Sequence, residues 1–154
     1  MNRKYLQKAL KRAEENIELG GGPFGALVVK NGEMIAEEAN RVTLDNDPTA
    51  HAEIRAIRAA AKRLNTWDLS GCELYTSCEP CPMCLGAVYW AHIDKVYFAA
   101  GHDDARDAGF DDADMYSEMK KLPSERKVYM KPDLLAEGKL VFQKWKEKEN
   151  KIEY

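Results

Sequence analysis

Two short runs constrain the fold of this chain most: His51-Ala52-Glu53 and, thirty positions after His51, Cys81-Pro82-Met83-Cys84. Their side chains make a site only if the fold brings both runs to one point. Together they offer one imidazole, two thiols and one carboxylate, and an imidazole with two thiolates suits zinc. Catalytic zinc keeps three protein ligands and one open position for water, whereas structural zinc is closed by four. Glu53 is then left to move protons rather than to bind metal. Three of the four cysteines fall between Cys78 and Cys84, and in a reducing compartment such clustering points to metal rather than to disulfides. The competing reading is a structural staple with Cys78 as fourth ligand. Against it, a chain of 154 residues with 45% apolar content builds its own core and needs no staple. Cys78 also falls at a strand end and reads as a buried thiol supporting the site.

The pattern along the chain predicts one layered α/β domain over residues 1–154, with no repeat or linker. Residues 2–19 read as a helix with Tyr5, Leu6, Ala9, Leu10, Ala13 and Ile17 as its apolar stripe, stopped by Gly20-Gly21-Gly22-Pro23. Phe24 to Lys30 and Glu33 to Ala39 read as a hairpin around Asn31-Gly32. Asp47 as cap and Pro48 at the first helical position predict a helix running to Leu64. A strand at 73–77, a helix from Pro80 to about Ala91 and a strand at 95–100 follow. Beyond them the pattern predicts a short helix near 114–121, a short strand at 127–130 and a C-terminal helix at 133–149.

On this reading Cys81 and Cys84 lie in the first turn of one helix, where the positive end of the dipole favours thiolates. His51 and Glu53 are two residues apart, about 200° around a helix at ~3.6 residues per turn. Both reach one metal only if it sits off the helix N-terminus. Two helix N-termini pointing at one zinc is the predicted geometry.

These motifs resemble the cytidine deaminase superfamily of zinc-dependent nucleoside and nucleobase deaminases. The likeness extends beyond the core through Gly22-Pro23-Phe24-Gly25-Ala26, Asn46 to His51, Tyr75-Thr76-Ser77-Cys78-Glu79, Ala108-Gly109-Phe110-Asp111-Asp112 and Glu153-Tyr154. These features are similar to the small bacterial guanine deaminases. The resemblance implies a three-layer α/β/α sandwich with a mixed central sheet and one zinc per subunit held by His51, Cys81 and Cys84. It implies hydrolytic deamination of guanine at C2 to xanthine and ammonia, with zinc-bound hydroxide as nucleophile and Glu53 as proton shuttle. It further implies Asn40 hydrogen-bonding the substrate, the Ala52 N–H supporting its carbonyl, and Asp112 accepting from guanine N–H donors. Phe24 and Trp90 are candidates to sandwich the base, since base–aromatic stacking is worth about 1–3 kcal/mol, although either residue also reads as core. Tyr154 would help cover the site of a partner subunit. The expected assembly is therefore a homodimer whose segment of about 133–154 can exchange between subunits.

Other deaminases of guanosine, cytosine, aminated triazines or tRNA adenosine share the core motifs, as would a zinc scaffold without activity. The net charge of −3 lacks the basic field of a nucleic-acid binder. An N-terminal Met1-Asn2-Arg3-Lys4 without an apolar core after it, and no run of bilayer length, lead to the expectation of a cytoplasmic protein with no membrane partner.

Overall fold

A strand apolar on both of its faces, Gly25–Lys30, runs through the middle of the sheet. The computed structural model describes residues 1–110 and 113–153. It divides into two compact units, Met1–Asp112 and Ala113–Tyr154. The first holds α1 (Arg3–Glu18), β1 (Gly25–Lys30), β2 (Glu33–Ala39), α2 (Val42–Asp45), α3 (Ala52–Leu64), β3 (Cys72–Cys78), α4 (Pro82–Trp90), β4 (Lys95–Ala100) and α5 (His102–Asp107). The second holds α6 (Ala113–Met119), a 3-10 turn at Pro123–Glu125, and α7 (Leu135–Glu147).

The sheet order is β2-β1-β3-β4. β1 pairs antiparallel with β2 and β3, and β3 pairs parallel with β4. The sheet is therefore mixed, as expected. Alternation along β1 sorts its side chains into two cores. Leu27 and Val29 join Ala9 of α1 and Tyr75 of β3 on one face. Ala26 and Val28 join Ala52, Ala56 and Ala60 of α3 and Val88 of α4 on the other. Helices thus cover both faces, which makes the three layers. On β2, consecutive Ile35 and Ala36 are both buried. A register shift opposite Val28 and Val29 explains this, because a bulge sets two residues against one and breaks the alternation.

The hairpin turn is as expected. Asn31 and Gly32 have φ of 51° and 78°, the left-handed pair that a two-residue turn between twisted strands requires. The helix predicted from Asp47 begins later, at Ala52, with His51 as N-cap. The Asp47 carboxylate instead accepts from the Thr49 N–H at 2.8 Å and the Thr49 hydroxyl at 2.7 Å, a local turn that competes with helix. Likewise α4 begins at Pro82 rather than Pro80. The sequence reading missed α2 and α5, both too short to show a period. No strand forms at 127–130: Val128 and Tyr129 are exposed, and the sheet of the described residues contains only β1 to β4. In α1 the inward residues are Ala9, Ala13 and Asn16. Leu10 and Ile17 of the predicted stripe are 43% and 53% exposed.

Helix α1 lies so near the sheet that a Cβ on Gly25 would stand 2.5 Å from the Ala9 carbonyl oxygen and 2.8 Å from the Ala13 nitrogen. Both are backbone atoms and cannot swing aside. Gly25→Ala should therefore destabilise the fold by about 1–3 kcal/mol, read as a lower denaturant midpoint. An unchanged midpoint would show that the α1–β1 spacing relaxes freely.

Candidate metal centre and active site

The first residues of α3 and α4 build the site. His51 is the N-cap of α3, with φ −66° and ψ 151°, and Cys81 is the N-cap of α4, with φ −64° and ψ 169°. Such extended angles are usual for a cap, whose side chain ordinarily turns back onto the helix N–H groups. Neither residue makes that capping bond. Their side chains face each other instead. Cys81 Sγ lies 3.6 Å from His51 Nδ1, and Cys84 Sγ lies 3.5 Å from the same nitrogen. Pro82 fixes the first helical φ of α4, and Cys84 follows one turn after the cap.

One donor atom from each of His51, Cys81 and Cys84 falls within 4.8 Å of the other two. A tetrahedral zinc, with Zn–N near 2.0–2.1 Å and Zn–S near 2.3 Å, sets nitrogen and sulfur about 3.5 Å apart. The observed N···S distances fit that spacing, so this donor set suits zinc. Cys78 is not part of the cluster among the described residues, and its Sγ lies 3.7 Å from the Gly101 carbonyl oxygen. The three-ligand expectation therefore stands.

Glu53 is one residue inside α3 and 5% exposed. The Thr76 hydroxyl, itself fully buried on β3, donates to Glu53 Oε1 at 3.4 Å. Burial pushes the Glu53 carboxyl above its ordinary range. A buried carboxyl that exchanges a proton readily is the group a shuttle needs. Thr76 was missed in the sequence, where a Thr in a strand has no distinguishing signal.

A family model for the cytidine and deoxycytidylate deaminase zinc-binding region matches residues 1–100. The chain belongs to this family. A guanine deaminase from Bacillus subtilis is 52% identical over 151 residues, covering 97% of both chains. The X-ray structure of guanine deaminase from Bacillus subtilis superposes with a TM-score of 0.97 at 51% identity, covering 100% of this chain and 99% of that one. A tRNA-specific adenosine deaminase from Aquifex aeolicus is 49% identical over 96 residues, 62% of this chain and 64% of its own length. Zinc is thus the metal of His51, Cys81 and Cys84 in this deaminase.

The expected substrate residues are placed unequally. Ala52, fully buried, is the first residue of α3, and its N–H is among those a helix start leaves without an intrahelical partner. Asn40 is buried at the end of β2, and its Oδ1 accepts from the Val42 N–H at 3.2 Å. That bond orients the carboxamide with its NH2 end away from Val42. Phe24 packs edge-on against Phe110, ring centres 4.9 Å apart, and also touches the core. Trp90 ends α4, 66% exposed, on a groove of about 600 Å³ shared with Thr49, Ile57, Arg58 and Met83. None of His51, Glu53, Cys81 or Cys84 lines that groove. Asp112 and Tyr154 lie outside the described residues. The other two histidines stand apart from the metal cluster: His92 pairs with Asp68 at 3.5 Å and His102 with Glu79 at 3.4 Å.

Metal-free, the two ligand thiols share a proton. The hydrogen bond from Cys84 holds Cys81 down at about 4, and that same bond, with burial, pushes Cys84 well above the thiol range. The pair thus favours the thiolate at Cys81 and the thiol at Cys84. Loading zinc should release about one proton per site, from Cys84, measured by zinc titration in weakly buffered solution with a pH indicator. Release of two, in Glu53→Gln as well, would mean that Cys81 is not depressed. Cys78→Ala should keep one zinc per chain, whereas Cys84→Ala should lose it; zinc loss in Cys78→Ala would restore the four-ligand reading.

Proposed function

We infer that this chain is a guanine deaminase, converting guanine and water to xanthine and ammonia. The carrying observation is the reach of the likeness. The family model ends at residue 100 and the Aquifex tRNA enzyme aligns over 96 residues, whereas the guanine deaminase match spans 151. Chemistry common to the family sits in the first hundred residues. The guanine deaminase match continues past residue 100, into the segment that carries Asp112. The net charge of −3 also disfavours a polyanionic substrate.

Bound zinc supplies Lewis acidity that makes a water molecule a nucleophile at neutral pH. Glu53 accepts the proton that this water gives up, helped by its buried position beside Thr76. The water oxygen bonds to C2 of guanine. Glu53 then delivers that proton to a ring nitrogen, takes the second proton from the hydroxyl now on C2, and passes it to the amino group, which leaves as ammonia as the C2–N bond breaks and the C2=O bond forms. Meanwhile Asn40 and the Ala52 N–H hold the polar edge of the base, Phe24 flanks its plane, and Asp112 accepts from its N–H donors. A carboxylate at that position would reject ring acceptors by repulsion.

The working assembly in this reading is a homodimer, with Tyr154 of one copy closing the site of the other. Helix α7 of the second unit supports it, because Leu135, Leu140, Val141 and Phe142 are all exposed. Side chains of this kind on one helix mark a surface made for burial. Exchange of residues 133–154 between copies would cover them. No helix of the described residues is long and apolar enough to cross a membrane. The ligand thiols need a reducing compartment, which favours the cytoplasm.

Glu53→Gln should retain zinc and lose about 10²–10⁴-fold in turnover of guanine, measured as ammonia release alongside metal content. Persistent turnover would remove Glu53 from the mechanism. The same assay with guanosine, cytosine, adenine and a tRNA tests the substrate: cytosine turnover with guanine inert would keep the zinc chemistry and overturn guanine.

A further inference from the structure

An asparagine occupies the position in the last turn of α1 where the helix period calls for an apolar residue. Asn16 is 2% exposed, and burying a carboxamide costs free energy unless its hydrogen bonds are made. Here its NH2 group donates twice, to the Gly22 carbonyl at 2.8 Å and to the Asn40 carbonyl at 2.8 Å. Its own backbone carbonyl accepts from the Gly21 N–H at 2.9 Å. The two segments that it joins carry Phe24 and Asn40. They are joined again where the Asn40 N–H donates to the Phe24 carbonyl at 3.0 Å.

Contact between these segments leaves no room for other residues. A Cβ on Gly21 would stand 2.3 Å from Asn16 Nδ2 and 2.8 Å from the Asn40 carbonyl oxygen. On Gly22 it would stand 3.2 Å from Asn40 Oδ1 and 3.4 Å from the Phe24 ring. Gly21 is therefore needed for Asn16 to reach across, whereas a Cβ on Gly22 would press on the Asn40 and Phe24 side chains. With its N–H, its C=O and its Oδ1 all bonded, Asn40 has its NH2 group as the end that remains to be offered.

We propose that Asn16 is a positioning residue for substrate: its carboxamide clamps the Gly22 and Asn40 backbones, and so fixes the direction in which Asn40 presents itself to the base. The inference rests on Asn40 binding substrate. Asn16 touches neither zinc ligands nor Glu53 among the bonds recorded for it, so it should act on substrate binding and not on metal or proton transfer. Asn16→Leu keeps the size but removes both donors.

The test is steady-state kinetics of the zinc-loaded full chain on guanine, for Asn16→Leu, Asn40→Ala and the double variant. Metal content and melting temperature are measured alongside. Asn16→Leu should keep one zinc, raise KM about tenfold, as expected for two stranded buried acceptors, and change kcat little, the pattern of lost uniform binding. The double variant should be no worse than Asn40→Ala alone, since residues acting through one another do not add. Should Asn16→Leu fail to fold, Gly21→Ala displaces the same carboxamide and should give the same KM rise and the same non-additivity. An unchanged KM in Asn16→Leu or Gly21→Ala with Asn40→Ala impaired would overturn the role of Asn16 alone, as would effects that multiply in the double variant. An unimpaired Asn40→Ala would overturn the reading of Asn40, and the proposal with it.

Discussion

Two helix starts, at His51 and Cys81, meet end to end, and the remainder of the site follows from that meeting. The two cap residues turn their side chains toward each other, with Cys81 Sγ 3.6 Å from His51 Nδ1. The N–H groups at the helix starts carry partial positive charge, roughly half a unit per helix. Around them the fold gathers two sulfurs and a buried carboxylate. Zinc with two thiolates and a neutral imidazole is formally neutral, so Glu53 is the excess negative charge, and the two helix ends offset it.

The sheet exists in large part to aim those helix starts. Strand β3 delivers Thr76 to Glu53 and then runs into Cys81 through Glu79, whose N–H is held by the Ala100 carbonyl at 2.9 Å. On the other side, Glu38 of β2 binds Arg55 of α3 at 2.6 Å, and Asp45 binds both Arg41 and Arg55. These ion pairs are partly exposed and contribute modestly to stability. Their use lies in tying the segment between Asn40 and His51 to both neighbours. The segment from Asn40 to His51 is thereby tied to β2 and α3 beside the metal ligands.

The sequence made the donors, the hairpin and the layer order legible because each is carried by local chemistry: thiols three apart, Asn31-Gly32, and alternating strands and helices. It misled at Asp47-Pro48, which looks like a cap and a first helical residue. A nearby Thr49 offered that carboxylate two closer donors, and the helix waited until Ala52. The shift matters, because it makes His51 a cap rather than a residue of the second turn, and that is how it reaches the metal. Asn16 was illegible for the opposite reason. Its partners lie on Gly22 and Asn40, and no period in α1 points to a carbonyl twenty-four residues away. Thr76 was hidden similarly. Trp90 reads as a pocket residue by type, yet it sits on a separate groove from the metal ligands.

Zinc K-edge X-ray absorption of the metal-loaded protein tests the convergence of the two caps most directly. The account predicts two sulfur neighbours near 2.3 Å and two nitrogen or oxygen neighbours near 2.0–2.1 Å, reduced to one sulfur by Cys84→Ala if metal is retained at all. Three sulfurs in the unmodified protein would contradict it, because Cys78 would then close the coordination shell and leave no position for the reacting water.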